Sequence, residues 1–426
     1  MKKCVIIGGG IAGLTSAVYL TKNGIQVTLF ESSPKLGGRA YSFIDPQTKD
    51  VIDNGQHILM GCYKDTINFL KHINAQDNFF HQKNLEINFL KETNKLLKLK
   101  GMTPFYPLNL FLALLNFKAI RFKDRISTLF FIMKLPFVSH QKIVNKNVKD
   151  WLIENRQSEN VIKSLWEIIC IGALNTNIKI ASAFMFREIL MKIFLNGKLA
   201  SIIILPKYGL SESYVANAKE YILSNGGEIK ISSPVGSFRD REGKIVEMKV
   251  GDESIGDFDF VISAIPFYSL KKIFPLIFTE DDIEFEYSSI LNVHIWLESN
   301  LLKEQFYGLI NSPVHWIFNK KSHLNLVISD ADELINKTKE EIYNLCLQEL
   351  KKFTGIDKSN IVHYKVLKEK RATFIPSVKN IYNRPTAKTR IKNLFLAGDW
   401  TDTGLPSTLE SAVKSGRIAS ECVINS

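Results

Sequence analysis

The chain has 426 residues, 45% of them hydrophobic and 23% charged, which excludes disorder, and its length points to two domains rather than one very large core. The net charge of +12 gathers in residues 81–150, where 13 Lys or Arg face 4 Asp or Glu. Apolar residues in that stretch come in aliphatic blocks instead of interleaving with the basic ones as in base-stacking surfaces, so no nucleic-acid partner is expected.

Residues 4–7, Cys-Val-Ile-Ile, read as a strand buried on both faces. The run is too short for the core of a secretory leader, so a cytoplasmic protein is expected. Gly8-Gly9-Gly10-Ile11-Ala12-Gly13 follows, then a helix over 14–23 and a second strand over 25–30 closed by Glu31. Gly8 permits the tight turn, Gly10 lets backbone approach a pyrophosphate, and Gly13 lets the helix lie close to the strand. Free N–H groups at the helix start, around Ile11 and Ala12, would meet the phosphates. Glu31, with Ser32 beside it, would accept the adenosine ribose hydroxyls and would repel a 2′-phosphate. A Gly-rich loop alone marks only a tight turn, but the order strand, loop, helix, strand, acid marks a dinucleotide-binding α/β unit.

Next come Leu36-Gly37-Gly38-Arg39-Ala40, two glycines for close approach and an arginine fork for phosphates, and then Asp53-Asn54-Gly55-Gln56-His57. Apolar runs over 105–120 and 126–138 are broken by Lys118, Lys134 and Pro136, and neither is long enough to span a bilayer. Helices over about 101–138 are expected, either resting on an anionic membrane surface or capping the protein with a solvated basic face. A turn at 205–210 precedes a helix, a strand over 228–231 leads to Val235, and a strand over 258–262 runs to Ala264. His294 and His315 sit in strand-like runs beside Trp296 and Trp316 and, without His-x-x-x-His spacing, read as core. Five scattered cysteines without Cys-x-x-Cys point to neither disulfides nor a metal site, and Cys62 reads as core rather than nucleophile. A last strand over 393–397 ends at Gly398-Asp399, and Pro406-Ser407-Thr408-Leu409 opens the final helix, with Ser407 or Thr408 as N-cap and Ala412 one turn in. A second Gly-rich nucleotide fold is not found, so no built-in nicotinamide site is expected and the electron donor is unidentified.

The Gly-Gly-Arg run after the acid, with the Gly-Asp turn before the last helix, resembles the amine oxidase and phytoene desaturase group of flavoproteins. The resemblance implies FAD in a Rossmann-type α/β domain assembled from 1–72, 205–265 and 385–426, with a mixed α+β substrate domain from 73–204 and 266–384. It implies cofactor contacts from Gly37, Gly38, Arg39 and Ala40, from Gly55, Gln56 and His57, from the Val235 backbone to adenine, and from Ala264 and Gly398. Asp399 would bond the ribityl or phosphate region, and Thr408, Leu409 and Ala412 would face the flavin pyrimidine, where a helix dipole suits negative charge.

Within that group, the runs Asp53 to Tyr63, Arg371-Ala372-Thr373-Phe374 and Ala397 to Ser411 resemble the hydroxysqualene dehydroxylases of bacterial hopanoid pathways. This implies reductive removal of an allylic hydroxyl from a thirty-carbon isoprenoid by flavin N5 hydride. Hydroxide leaves poorly and needs a proton, for which His57 and Asp402 stand as candidates. Arg371 either orients a carboxylate at the flavin or satisfies a buried ion pair. Trp400 either lines the flavin or fills core, and Glu410 reads as a helix cap. A carotenoid or phytoene desaturase and a non-catalytic FAD-binding lipid carrier stay open as alternatives.

Overall fold

A computed structural model describes residues 1–92, 94–277, 284–300 and 302–426. Strands β1 (Lys3–Ile7) and β2 (Gln26–Phe30) flank helix α1 (Ile11–Lys22) and pair in parallel. Three more strands, β3 (Glu228–Lys230), β4 (Phe260–Ser263) and β5 (Leu394–Leu396), complete a five-stranded sheet in the order β3-β2-β1-β4-β5, every pair parallel. Side-chain alternation explains why the strands read as continuous apolar runs. Cys4 and Ile6 pack under α1 and the last helix, α2 (Leu409–Ile424), while Val5 and Ile7 pack on the other face with Ile245, Met248 and Phe274. Close helix contact is sealed by small residues: Ser16 Oγ donates to the Gly416 carbonyl (3.2 Å) and Ser420 Oγ to the Ser16 carbonyl (3.2 Å).

A second sheet has seven strands and shares the lining of one cavity with the first. Its order is Ile361–Phe374, Tyr287–Leu297, His323–Ile328, Trp316–Asn319, Phe306–Leu309, Glu86–Lys91, Lys95–Lys100, antiparallel except where Phe306–Leu309 meets Glu86–Lys91. Leu291, Val293, Ile295, Leu324 and Leu326 point to one face, under helix Lys339–Thr354 with Ile342, Cys346 and Leu350. Ile290, Asn292, Trp316, Phe318 and Val327 come from the intervening positions and line the cavity described below.

A helical layer buries Trp151, Trp166 and Phe186 and takes in helices Leu108–Leu115 and Phe122–Lys134. Residues 101–138 thus form the helical cap, one of the two expectations for them. Ala113, Leu114, Phe117, Leu129 and Phe131 are buried beneath it, while Phe105, Phe122, Phe130, Met133 and Phe137 are exposed. Among the described residues no helix is long and apolar enough to cross a membrane.

Candidate active site

Between β1 and α1 the Gly-rich loop is held by close contacts. A Cβ on Gly13 would lie 1.9 Å from the Gly8 carbonyl oxygen, and Gly8 itself turns at φ +106° against Ala264. Gly10, the N-cap of α1, has no side chain to meet the first N–H groups, and the first turn carries no acid, so the positive helix end faces outward. Glu31 is pinned at the end of β2, where Oε2 accepts from the Gly9 N–H (2.6 Å) and Oε1 from the Ser33 N–H (2.7 Å).

These elements border a cavity of about 660 Å³. Its lining includes Gly8, Gly10, Ile11, Ala12, Glu31, Ser32, Gly37, Gly38, Arg39, Ala40, Gly55, Gln56, His57, Val235, Ala264, Gly398, Asp399, Thr408, Leu409 and Ala412. Every cofactor residue named from the sequence lines it except Gly13, which acts beneath it in packing. Thr408 is the cap of α2, its hydroxyl accepting from the Ser411 N–H (3.2 Å).

Arg39 pairs with Asp399 and donates to the Ala372 carbonyl (2.8 Å), and Ser407 donates to the same aspartate. Burial opposes the Arg39 charge, but Asp399 outweighs it and holds the guanidinium more firmly protonated. Behind this pair lies a residue the sequence reading missed. Buried Arg384 donates from Nη1 to the Leu405 carbonyl (2.6 Å), from Nε to the Trp400 carbonyl (3.3 Å) and from Nη2 to the carbonyls of Asp399 (3.0 Å) and Thr401. Burial pulls its pKa down to about 10, still charged at neutral pH. Its only signal was an arginine before proline ahead of the last strand, and no local pattern announces a guanidinium that will knit a loop together.

The acid candidates fare differently. His57 lines the cavity, with Nδ1 2.9 Å from the Gly55 carbonyl. A carbonyl only accepts, so Nδ1 carries the proton. Burial lowers the ring's pKa, outweighing that bond, which leaves a neutral imidazole whose Nε2 is an acceptor rather than the expected donor. Asp402 is exposed and outside the cavity lining, its carboxylate accepting from the Gly404 N–H (3.3 Å). The turn aims it at solvent, and its charge supports Arg384 instead. Arg371 is likewise exposed, its guanidinium 4.4 Å from the centre of the Tyr268 ring, so it neither reaches the cavity nor fills a buried ion pair.

Trp400 fills core, 3% exposed against Phe267, and also borders the cavity, Nε1 donating to the Ile265 carbonyl (3.1 Å). Glu410 is a cap, though not of its own helix. Its carboxylate accepts from the N–H groups of Asp65 (3.0 Å) and Thr66 (2.8 Å) at the start of helix Lys64–His72. Burial takes His294 down to about 3, His315 to about 4 and raises the Cys62 thiol to about 11, which fits core roles for all three.

A flavin dinucleotide suits this donor set, with an uncapped helix end, glycines that leave room for phosphates, a pinned acid at the ribose end and an arginine–aspartate pair midway. The model of the family described as "Flavin containing amine oxidoreductase" matches residues 11–424. The chain belongs to that family. This amine oxidoreductase family member is an FAD-dependent oxidoreductase of α/β fold. It is 28% identical to a hydroxysqualene dehydroxylase of Zymomonas mobilis over 99% of this chain and 98% of that one. A 15-cis-phytoene desaturase of Synechococcus elongatus is 23% identical over 99% of this chain and 96% of its own length. A solved oxidoreductase of Methanosarcina mazei shares the fold at TM-score 0.77 with 18% identity, covering all of both chains.

The flavoprotein's cavity extends past its cofactor end to a wall not read from the sequence. Ile290, Trp316, Phe318 and Val327 form an apolar stretch, with Gly172 and Ala173 from the helical layer. Asn292 sits where this wall meets His57, its Oδ1 accepting from the Asn325 amide (3.3 Å). Tyr63, Asn175 and Glu369 also line the cavity. Period-two alternation was the available signal, but it does not say which face of a strand looks at a ligand.

Proposed function

We propose that this oxidoreductase removes the allylic hydroxyl of hydroxysqualene reductively, giving squalene and water. The carrying observation is the apolar wall of Ile290, Trp316, Phe318 and Val327 across from the dinucleotide cradle, a lining matched to an isoprenoid chain. The likeness to a hydroxysqualene dehydroxylase along nearly all of both chains supports it. In this reading segments 1–72, 205–265 and 385–426 form the cofactor lobe and 73–204 with 266–384 the substrate lobe, in keeping with where the strands of the two sheets fall.

The start of α1 and Gly37, Gly38 and Ala40 would hold the phosphates, Glu31 the adenosine ribose, and the start of α2 the flavin end. Reduced FAD supplies the hydride. The apolar wall excludes water from the allylic cation, and His57 Nε2 with Asn292 offers polar anchors for the substrate oxygen. Anaerobic incubation of reduced holoenzyme with hydroxysqualene is expected to yield squalene. No turnover ends this reading, and desaturation of an isoprenoid by the oxidised enzyme would favour the desaturase alternative.

So insoluble a substrate gives the basic apolar segment a purpose at an anionic membrane surface. Phe105, Phe122, Phe130 and Phe137 are 71, 67, 59 and 86% exposed, Lys118, Arg121, Lys123 and Lys134 are exposed beside them, and Asp124, the acid among them, is buried. The protein is expected to float with vesicles containing anionic lipid, and Phe122→Ser with Phe137→Ser to float less. Equal recovery with and without such vesicles would refute membrane docking.

A further inference from the structure

We propose that Glu369 is the residue that protonates the departing hydroxyl. This rests on the dehydroxylation reading above. Three carboxylates line the cavity among the described residues, Glu31, Asp399 and Glu369. Glu31 is committed to the Gly-rich loop and Asp399 to Arg39 and Ser407. His57 presents an acceptor, and burial pushes the Tyr63 phenol well above its ordinary range, too weak an acid for the task.

Glu369 has no such commitment. Among the described residues its carboxylate makes one hydrogen bond, a long one, Oε1 accepting from the Arg371 N–H (3.3 Å). It stands opposite Ile290 in the register of the seven-stranded sheet, beside the apolar wall, and three residues before the carbonyl of Ala372 that receives Arg39. It thus lines the cavity with both Ile290 of the apolar wall and Arg39 of the cofactor side, whose charge it supports. The charged and titratable groups around it are Arg39 and Asp399 from the cofactor side, Tyr268 and Tyr287 beyond them, and Arg371 on its own strand. Arg39 is already neutralised by Asp399.

The step balances without further reagents. The Glu369 carboxyl gives its proton to the hydroxyl oxygen, the C–O bond breaks with both electrons on oxygen, and water leaves. Hydride from the reduced flavin forms the new C–H bond, so the allylic carbon is reduced and the flavin oxidised. Glu369 then regains a proton from solvent.

The test compares wild-type and Glu369→Gln holoenzymes, a nearly isosteric change. Flavin content and quenching of protein fluorescence by hydroxysqualene are expected to match, showing that cofactor and substrate still bind. Single-turnover squalene formation by Glu369→Gln is expected to fall ~100-fold or more. An acetate ester of hydroxysqualene, whose leaving group needs no proton, is expected to restore the variant to near the wild-type rate. Wild type that makes no squalene removes the dehydroxylation reading and this role with it. Wild type active and Glu369→Gln equally active removes the role of Glu369 alone. A variant equally slow on alcohol and ester also overturns proton donation, because the defect would then lie in positioning.

Discussion

The cofactor side of the cavity is built largely from backbone, around residues 8–12, 37–40 and the start of α2, whereas the facing wall is built from side chains at alternate positions of separate strands. Backbone walls need glycines, a turn and a helix end in fixed order, so they leave a contiguous trace in the sequence. Side-chain walls need only the right face of a strand turned inward. The first can hold one ligand shape, and the second is free to vary with the substrate.

If the two walls are separable, damage to one should spare the other. The largest effect is expected at Arg384. Arg384→Met strips several buried carbonyls of charge-assisted bonds worth ~1.5–3 kcal/mol each, so a loss of about 3 kcal/mol or more should appear in denaturant melts, together with weaker FAD binding. Arg384→Lys should recover only part, because an ammonium cannot reproduce the planar fork. Unchanged melting would show that the loop after Asp399 holds itself. Next in size is Trp316→Ala, expected to keep its full flavin content while losing about 2 kcal/mol of lipid affinity, roughly thirtyfold, in a binding titration. Loss of FAD in step with lipid would break the distinction.

The smallest effect concerns a tie between the two regions, where buried Asp45 of the cofactor side meets Lys365 (2.6 Å) of the seven-stranded sheet. Burial pushes this carboxyl up, but Lys365 and the N–H groups of Thr48 and Gln47 outweigh it and hold it at about 2, against an ordinary 3.8. A depressed carboxylate stabilises the fold above its unfolded pKa and loses that contribution as pH falls through the folded value. Stability of the wild type should therefore drop more steeply than that of Asp45→Asn between about pH 4 and 2, measured by thermal melting. Parallel acid limbs would dismiss the tie.

The same contrast accounts for what could be read in advance. β1, α1, β2 and the acid at Glu31 were legible because each residue type is forced by local geometry, as the 1.9 Å approach at Gly13 makes plain. α2 and its Thr408 cap were legible for the same reason. His57 was placed correctly but its role was not, since the bond from Nδ1 to Gly55 fixes the tautomer and no sequence records a tautomer. Asp402 was expected to flank the flavin as a proton donor, yet the turn after Asp399 leaves it exposed while Asp399 is buried. Arg384 and Asn292 were invisible because their partners lie on other strands and loops, and Glu369 because nothing along its strand says which face turns to the cavity.

One feature of the parallel sheet bears on how the molecule is made. Its central strand emerges first from the ribosome, but its outer strand β5 and the helix that closes the cradle come after residue 390. A nascent chain thus carries half a cradle until the residues after 390 are made, with the glycine turn waiting for its counterpart. Once both halves meet, the bound dinucleotide works as a removable staple between the earliest and latest segments, adding stability in proportion to the logarithm of its free concentration. Cofactor supply is then expected to set not only how many molecules are active but how well the chain resists unfolding.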